Sequence, residues 1–216
     1  MIQEAKATLH KAFKIKDLGN LKYFLGVEVC RSGKGILLCQ RKYALELIAE
    51  LGLAGAKPTI TPMEQNKRLT TVEYNEHCHL EGDPTLKDVS GYQRLVGKLL
   101  YLTLTRPDIA YSVQTLSQFM QAPKQSHLEA AYRVVRYVKN EHGLGILMNA
   151  VGDMTLNAYC DADWPSCSNS RKSVTGYLVK FGGSLISWKS KKQTTVARSS
   201  AESEYRSMAL TISELI

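Results

Sequence analysis

The chain has 216 residues, 44% of them hydrophobic, and a formal net charge of +8, the make-up of a globular chain long enough to bury one large core or two small ones. No apolar run approaches the roughly 18 residues of a membrane span, and "MIQEAKATLHKAFKIKD" lacks a signal-peptide core, so neither a membrane-spanning nor a secreted chain is expected from this sequence. Its five cysteines are scattered with no CxxC pair, so they read as reduced thiols and not as a disulfide framework.

At the N-terminus Ala5, Leu9, Ala12 and Phe13 recur at helical spacing and give an amphipathic helix. This stretch contains no arginine and carries Glu4 and Asp17, unlike an Arg-rich, acid-poor transit peptide. The expectation is an intracellular protein, cytoplasmic or nuclear, with an organelle also compatible. "LKYFLGVEV", "RSGKG" and "ILLCQ" follow as strand, glycine turn and strand, the pattern of a hairpin. Lys34 sits between two glycines, but the rest of a GxxxxGK[ST] phosphate loop is missing and a turn explains the glycines. Residues 41–51 place Tyr43, Leu47, Ile48 and Leu51 on one helical face, and Gly52 is positioned to end that helix.

From "KPTITPM" to about Val89 periodicity is lost, and residues 64–89, with six acids against three bases, read as a linker. Within it "EHCHL" sets His77, Cys78 and His79 side by side. Adjacent residues do not close a tetrahedral zinc site without distant partners, so a polar loop is the simpler reading. Three helices are expected next, where seven Lys or Arg face three acids over residues 90–142. The first, over residues 90–105, carries Tyr92, Leu95, Val96, Leu99, Leu100 and Leu102. The second opens on Pro107 and carries Ile109, Ala110, Val113, Leu116 and Met120. The third has Ser126 as its cap and Leu128, Ala131, Val134, Val135 and Val138 inward. Short connections make these an antiparallel bundle. On the third helix Arg133, Arg136 and Lys139 or Asn140 form a cationic row, a spacing shared by a solvated face and by a face that tracks phosphates.

After Gly143 the pattern changes to strands. "TLNAYCDAD" alternates, "SVTGYLVKF" is rich in β-branched and aromatic residues, and "SLISWKS" follows Gly182 and Gly183. "VARSS" then leads into a last helix, so an α+β unit begins near residue 150. In an extended "YCDAD" the side chains of Tyr159, Asp161 and Asp163 share one face, and a divalent cation would relieve the repulsion between the two acids. In the last helix Ser199 and Glu202 have capping-box spacing, and Glu202 can pair with Arg206. Glu204 has no such explanation. It lies at the edge of an apolar stripe through Ala201, Tyr205, Met208, Ala209 and Ile212. Surface carboxylates are the simpler reading of these acids, and a two-acid metal site is the alternative.

Taken together, "FKIKDLGNLKYFLGVEV", "QRKYALELIAELGL", "KPTITPM", "YQRLVGKLLYLTLTRPDIAYSVQTLSQFM", "LNAYCDADW" and "ISWKSKKQTTVARSSAESEYRSMAL" resemble successive blocks of copia-type retrotransposon Pol polyproteins, in order, across nearly the whole chain. The resemblance implies an α+β chain: a palm-end β-hairpin and helix, a helical thumb/connection bundle, then a truncated ribonuclease H-like α/β fold. Its parts would be residues 1–63, the C-terminal end of the reverse transcriptase palm; 64–89, a linker; 90–148, the thumb/connection; and 149–216, the start of ribonuclease H.

By the same resemblance Asp161 matches the first metal-binding acid of ribonuclease H and Glu204 the second, which implies Mg²⁺ as the cofactor and two-metal cleavage of the RNA strand of a hybrid. The polymerase "YVDD" motif does not occur, and the family's next nuclease aspartate would fall beyond Ile216. A catalytically incomplete piece is therefore expected, its lineage enzymatic and its own activity undecided. The implied partners are RNA–DNA hybrid or duplex nucleic acid and the remaining Pol segments, with no membrane. Arg133, Arg136 and the cluster Lys189, Lys191 and Lys192 are the candidate phosphate contacts. The alternatives are a non-catalytic nucleic-acid-binding module or a relic without function.

Overall fold

The computed structural model describes residues 2–16, 19–65, 67–164, 166 and 170–216; Asp17, named above, and Cys167, one of the five cysteines, lie outside them. Helix α1 (Ile2–Ala12) forms where expected. A four-stranded antiparallel sheet follows, in the order β1 (Tyr23–Phe24), β2 (Val27–Ser32), β3 (Gly35–Cys39), β4 (Gly145–Asn149). Ser32 pairs with Gly35, so Gly33 and Lys34 are the hairpin turn. The strand after Gly143 thus closes onto the N-terminal hairpin. Two glycines allow it: a Cβ on Gly35, at φ +143°, would lie 2.0 Å from the Met148 carbonyl oxygen, and one on Gly145 would lie 2.1 Å from that of Leu38.

The helical core is built from α2 (Arg41–Glu50), α4 (Val89–Leu102), α5 (Ala110–Ser117) and α6 (Gln125–Asn140). Leu47, Ile48, Tyr92, Val96, Leu99, Val113, Leu116, Val134 and Val135 are buried together, each large aliphatic contributing about 1.5–3 kcal/mol of transfer free energy. Tyr92 satisfies its hydroxyl by donating to the Leu116 carbonyl at 2.9 Å. Gly52, at φ +67°, ends α2 as its sequence position suggested. Pro107 opens a short 3₁₀ turn, Pro107–Ile109, that runs into α5.

The stretch read as a linker carries a helical turn, α3 (Val72–His77), capped by Thr71, and is tied into the bundle. Asp83 accepts from the Ser126 backbone N–H at 3.0 Å and from its hydroxyl at 2.8 Å. Ser126 therefore lies inside the first turn of α6 and is not the cap; the cap position falls on Lys124, and a carboxylate from another segment satisfies the exposed amide. His77, Cys78 and His79 are exposed at the end of α3, and no group of three or more His, Cys, Asp or Glu among the described residues could hold a metal ion.

The second sheet is antiparallel, in the order β5 (Leu156–Asp163), β6 (Val174–Phe181), β7 (Ser184–Lys192), and α7 (Ser200–Leu215) packs on it. The mixed α+β architecture expected from the sequence is present. The face of α7 is not the expected one. Ser203, Ser207 and Thr211 are buried, while Tyr205, Met208 and Ile212 are 71%, 47% and 54% exposed. Small hydroxyl side chains let the helix approach the sheet closely and bond to it, a contact that the apolar stripe read from the sequence would hold apart. Trp188 links this unit to the bundle by donating its indole N–H to the Thr103 carbonyl at 3.1 Å. No helix among the described residues is long and apolar enough to cross a membrane.

Candidate functional site

Asp161 lies on edge strand β5 opposite Gly176, and its neighbours Cys160 and Ala162 lie opposite Tyr177 and Thr175. Residues directly opposite in an antiparallel pair share a face. Gln193 bridges Thr175 and the Ser203 carbonyl of α7, both at 3.0 Å, so α7 covers the face of Cys160 and Ala162. The side chains of Asp161 and Asp163 stand on the other face, as the alternation predicts. There they border a cavity of about 700 Å³ whose far wall includes Asp108 and Tyr111. Burial would raise the Asp108 carboxyl, but hydrogen bonds and charge from Arg106, at 2.7 and 2.9 Å, hold it below the usual carboxylate range.

Glu204 is half-buried on α7. Ser207, one turn further on, donates to the Asp161 carbonyl oxygen at 2.8 Å. The structure thus brings the backbone of Asp161 against the turn that follows Glu204, while the Asp161 carboxylate leaves on the opposite side of the strand. Glu202 is accounted for structurally: its amide donates to the cap Ser199, and its carboxylate takes the Arg198 amide at 2.7 Å and Arg206 at 2.6 Å. These contacts, the Arg198 amide foremost, lower its pKa. The box is displaced by one residue, since the amide it accepts is that of Arg198 and not of Ser199.

Mg²⁺ takes hard oxygen donors in near-octahedral geometry. Asp161 and Glu204 supply two carboxylates from opposite sides of one strand, and no set of three candidate ligands converges among the described residues. The residues present do not by themselves fit a closed magnesium site.

The expected cationic contacts divide. Lys189 and Lys191 are exposed on β7, on the same face as Tyr177 and Thr175. Lys192 alternates to the other face and donates to Gln118 at 2.7 Å. On α6, Arg133 donates to Thr61 at 3.0 Å and pairs with Glu64 at 3.5 Å. Lys139 donates to the carbonyls of Leu53, Ala54 and Ala56, and Thr59 bonds the carbonyls of Arg133 and Arg136. Much of the row therefore binds residues 53–64 against α6. Arg133 and Arg136 border a cavity of about 350 Å³ beneath that segment. Asp108 and Tyr111 on the larger cavity, and Lys67 on the lining of the smaller one, carry no periodic signal in the sequence.

Comparison with known proteins decides the lineage. The profile of the reverse transcriptase (RNA-dependent DNA polymerase) family matches residues 1–65. The chain is 42% identical over 96% of its length to the retrovirus-related Pol polyprotein from transposon RE1 of Arabidopsis thaliana, and 36% identical over its whole length to that from transposon TNT 1-94 of Nicotiana tabacum. The chain belongs to the copia-type retrotransposon Pol family. It spans 14% and 16% of those two polyproteins. It is also 40% identical, over 96% of its own length and 82% of the relative's, to the uncharacterized mitochondrial protein AtMg00810 of Arabidopsis thaliana. No solved structure matches significantly. Within this Pol segment, α1, β1 to β3 and α2 fall inside the matched reverse transcriptase part, while the later helices, β4 and the second sheet are covered by the Pol relatives.

Proposed function

We propose that this Pol segment is a nucleic-acid-handling piece of a retrotransposon polyprotein. Residues 1–63 end the reverse transcriptase palm, residues 90–148 form the thumb and connection, and residues 149–216 begin a ribonuclease H-like unit that binds RNA–DNA hybrid. The observation that supports this most is collinearity: similarity to the RE1 polyprotein runs through 96% of the chain, across both sheets and the helices between them. In this reading Asp161 and Glu204 are nuclease acids that need further carboxylates from other Pol segments, so the chain alone binds hybrid and cleaves it negligibly. Lys189 and Lys191, exposed on one strand face, are the residues free to meet phosphates, whereas Lys192 is held by Gln118.

Binding through phosphates makes affinity fall linearly with salt on logarithmic axes, by about 0.9 in slope for each phosphate neutralised on B-form duplex. Anisotropy titrations of labelled hybrid at several salt concentrations test this. Replacing Lys189 and Lys191 by Gln is expected to reduce the slope by roughly 2, with little change between sequences. An unchanged slope removes the β7 face from the interface, and no hybrid affinity at low salt overturns the function.

A second reading draws on a different observation. The uncharacterized mitochondrial protein AtMg00810 is covered over 82% of its length by this chain, so segments of similar extent occur as separate proteins. A stand-alone, non-catalytic binding module would show the same salt dependence without any dependence on other Pol segments.

A further inference from the structure

The cleft between α6 and residues 53–64 holds more positive charge than its surroundings satisfy. Arg133 and Arg136 stand one turn apart on α6, and the Nε of each is buried with no acceptor among the described residues. Arg136 has no side-chain hydrogen bond or ion pair to any described residue; its backbone carbonyl, not its guanidinium, receives Thr59. Lys67 also lines the cavity. The nearest countercharge is Glu64, which Arg133 and Lys67 share at 3.5 and 3.6 Å, well beyond the roughly 2.7–2.9 Å of a strong charge-assisted bond. Glu129, also on the wall, is engaged by Gln125 at 3.3 Å. A buried guanidinium donor without an acceptor is costly, and such a group in a native fold calls for a ligand or an ordered water.

Two arginines at three-residue spacing have side chains about 5–6 Å apart at their bases, so one anion meets both only if its oxygens diverge. A tetrahedral phosphoryl group does this and accepts the planar guanidinium fork with paired oxygens. The cavity, about 350 Å³, lies near the lower limit of ordinary small-molecule sites, roughly 300–1,000 Å³, too small for a duplex. Met63 and Tyr132 supply apolar wall beside the cations. We propose that this cleft binds a phosphate monoester, with Arg136 and Arg133 taking the phosphoryl group and the Glu64 carboxylate competing for the same cations. The monoester is either a free nucleotide or the terminal phosphate of a nucleic-acid strand. The inference stands apart from hybrid binding at β7, because inorganic phosphate alone tests it.

The Nε–Hε resonances of Arg133 and Arg136 are followed in the full chain by ¹⁵N–¹H spectroscopy during titration with inorganic phosphate, against chloride at equal ionic strength. Phosphate is expected to shift both resonances saturably and chloride is not. Arg136→Lys, which keeps the charge and the fold, is expected to weaken binding by about 10-fold through loss of the fork. Glu64→Gln is expected to tighten it several-fold by removing the competitor. Competition by a nucleoside monophosphate, and by matched oligonucleotides with 5′-phosphate or 5′-hydroxyl ends, separates the two sources; competition by either monoester supports the site. Phosphate shifts no larger than those from chloride, affinity indifferent to both substitutions, or equal competition by the 5′-hydroxyl strand would each overturn it.

Discussion

The ammonium of Lys124 lies 3.0 Å from the Asp83 carboxylate although the lysine side chain is only 1% exposed. Lys124 also donates to the Thr70 hydroxyl at 3.1 Å, so its buried charge is met by one carboxylate and one hydroxyl. Removing the carboxylate would strand that charge. Asp83→Asn is expected to destabilise the chain by about 2–4 kcal/mol, slightly below the range for fully buried pairs because Asp83 keeps some solvent contact. Lys124→Met added to it should recover a large part of the loss. Urea unfolding midpoints of the two variants measure this, and a double variant no more stable than Asp83→Asn would show that the pair does not act as a unit.

His127 gives the same network a pH dependence. The ring is fully buried and stacked on Phe119 with centroids 3.9 Å apart. Its Nδ1 accepts the Lys124 backbone N–H at 3.0 Å, so the proton of the neutral ring is on Nε2, which donates to the Thr70 carbonyl at 3.1 Å. Burial first, and then the Lys124 charge, push its pKa down to about 4. An unfolded histidine titrates near 6.5, so between those values the unfolded chain holds the extra proton and stability falls as pH falls. The contribution is fully present above pH 6.5 or so, and about 3 kcal/mol is lost by pH 4. Asp83 adds to the loss at lower pH: burial would raise its carboxyl, but bonds from Ser126 and Lys124 hold it below the usual range. Stability curves of wild type and His127→Gln from pH 7.5 to 4 separate the two, since only the wild type should show the upper part of the slope. Parallel curves above pH 5 would contradict the assignment.

Much of this fold is legible because it is local. Helices α2, α4 and α6 announce themselves through three- and four-residue apolar spacing, and Gly33–Lys34 and Gly182–Gly183 mark turns between alternating strands. What escapes the sequence is contact between distant segments. Nothing in "GILMN" says that it pairs with β3, and nothing in "GDP" says that Asp83 will serve the first turn of α6. The α7 error has a different cause. Its buried residues, Ser203, Ser207 and Thr211, repeat every four positions as clearly as the apolar ones do, but a hydropathy reading weighs hydrophobicity and overlooks side-chain size. At the candidate site, alternation correctly placed Asp161 and Asp163 on one face, whereas it could not show on which face α7 would lie.

That geometry makes a specific forecast for the carboxylates. Asp161 and Asp163 share an exposed sheet face, and α7, with Glu204, packs against the other. With no converging third ligand among the described residues, the two acids repel in the free chain. Asp161→Asn is therefore expected to leave stability unchanged or raise it by about 0.2–0.5 kcal/mol, the size of a like-charge contact across an exposed strand face. Adding 10 mM Mg²⁺ in place of chelator is expected to shift the melting midpoints of wild type, Asp161→Asn and Glu204→Gln alike, because an ion that binds the folded state weakly adds little stability. If the proposed lineage role holds, the same substitutions abolish hybrid cleavage in a longer Pol protein while leaving hybrid affinity intact, since neither touches Lys189 or Lys191. A magnesium-dependent rise in the wild-type midpoint that both substitutions erase would show that Asp161 and Glu204 already form a competent metal site in these 216 residues, and would overturn the reading of them as an incomplete pair.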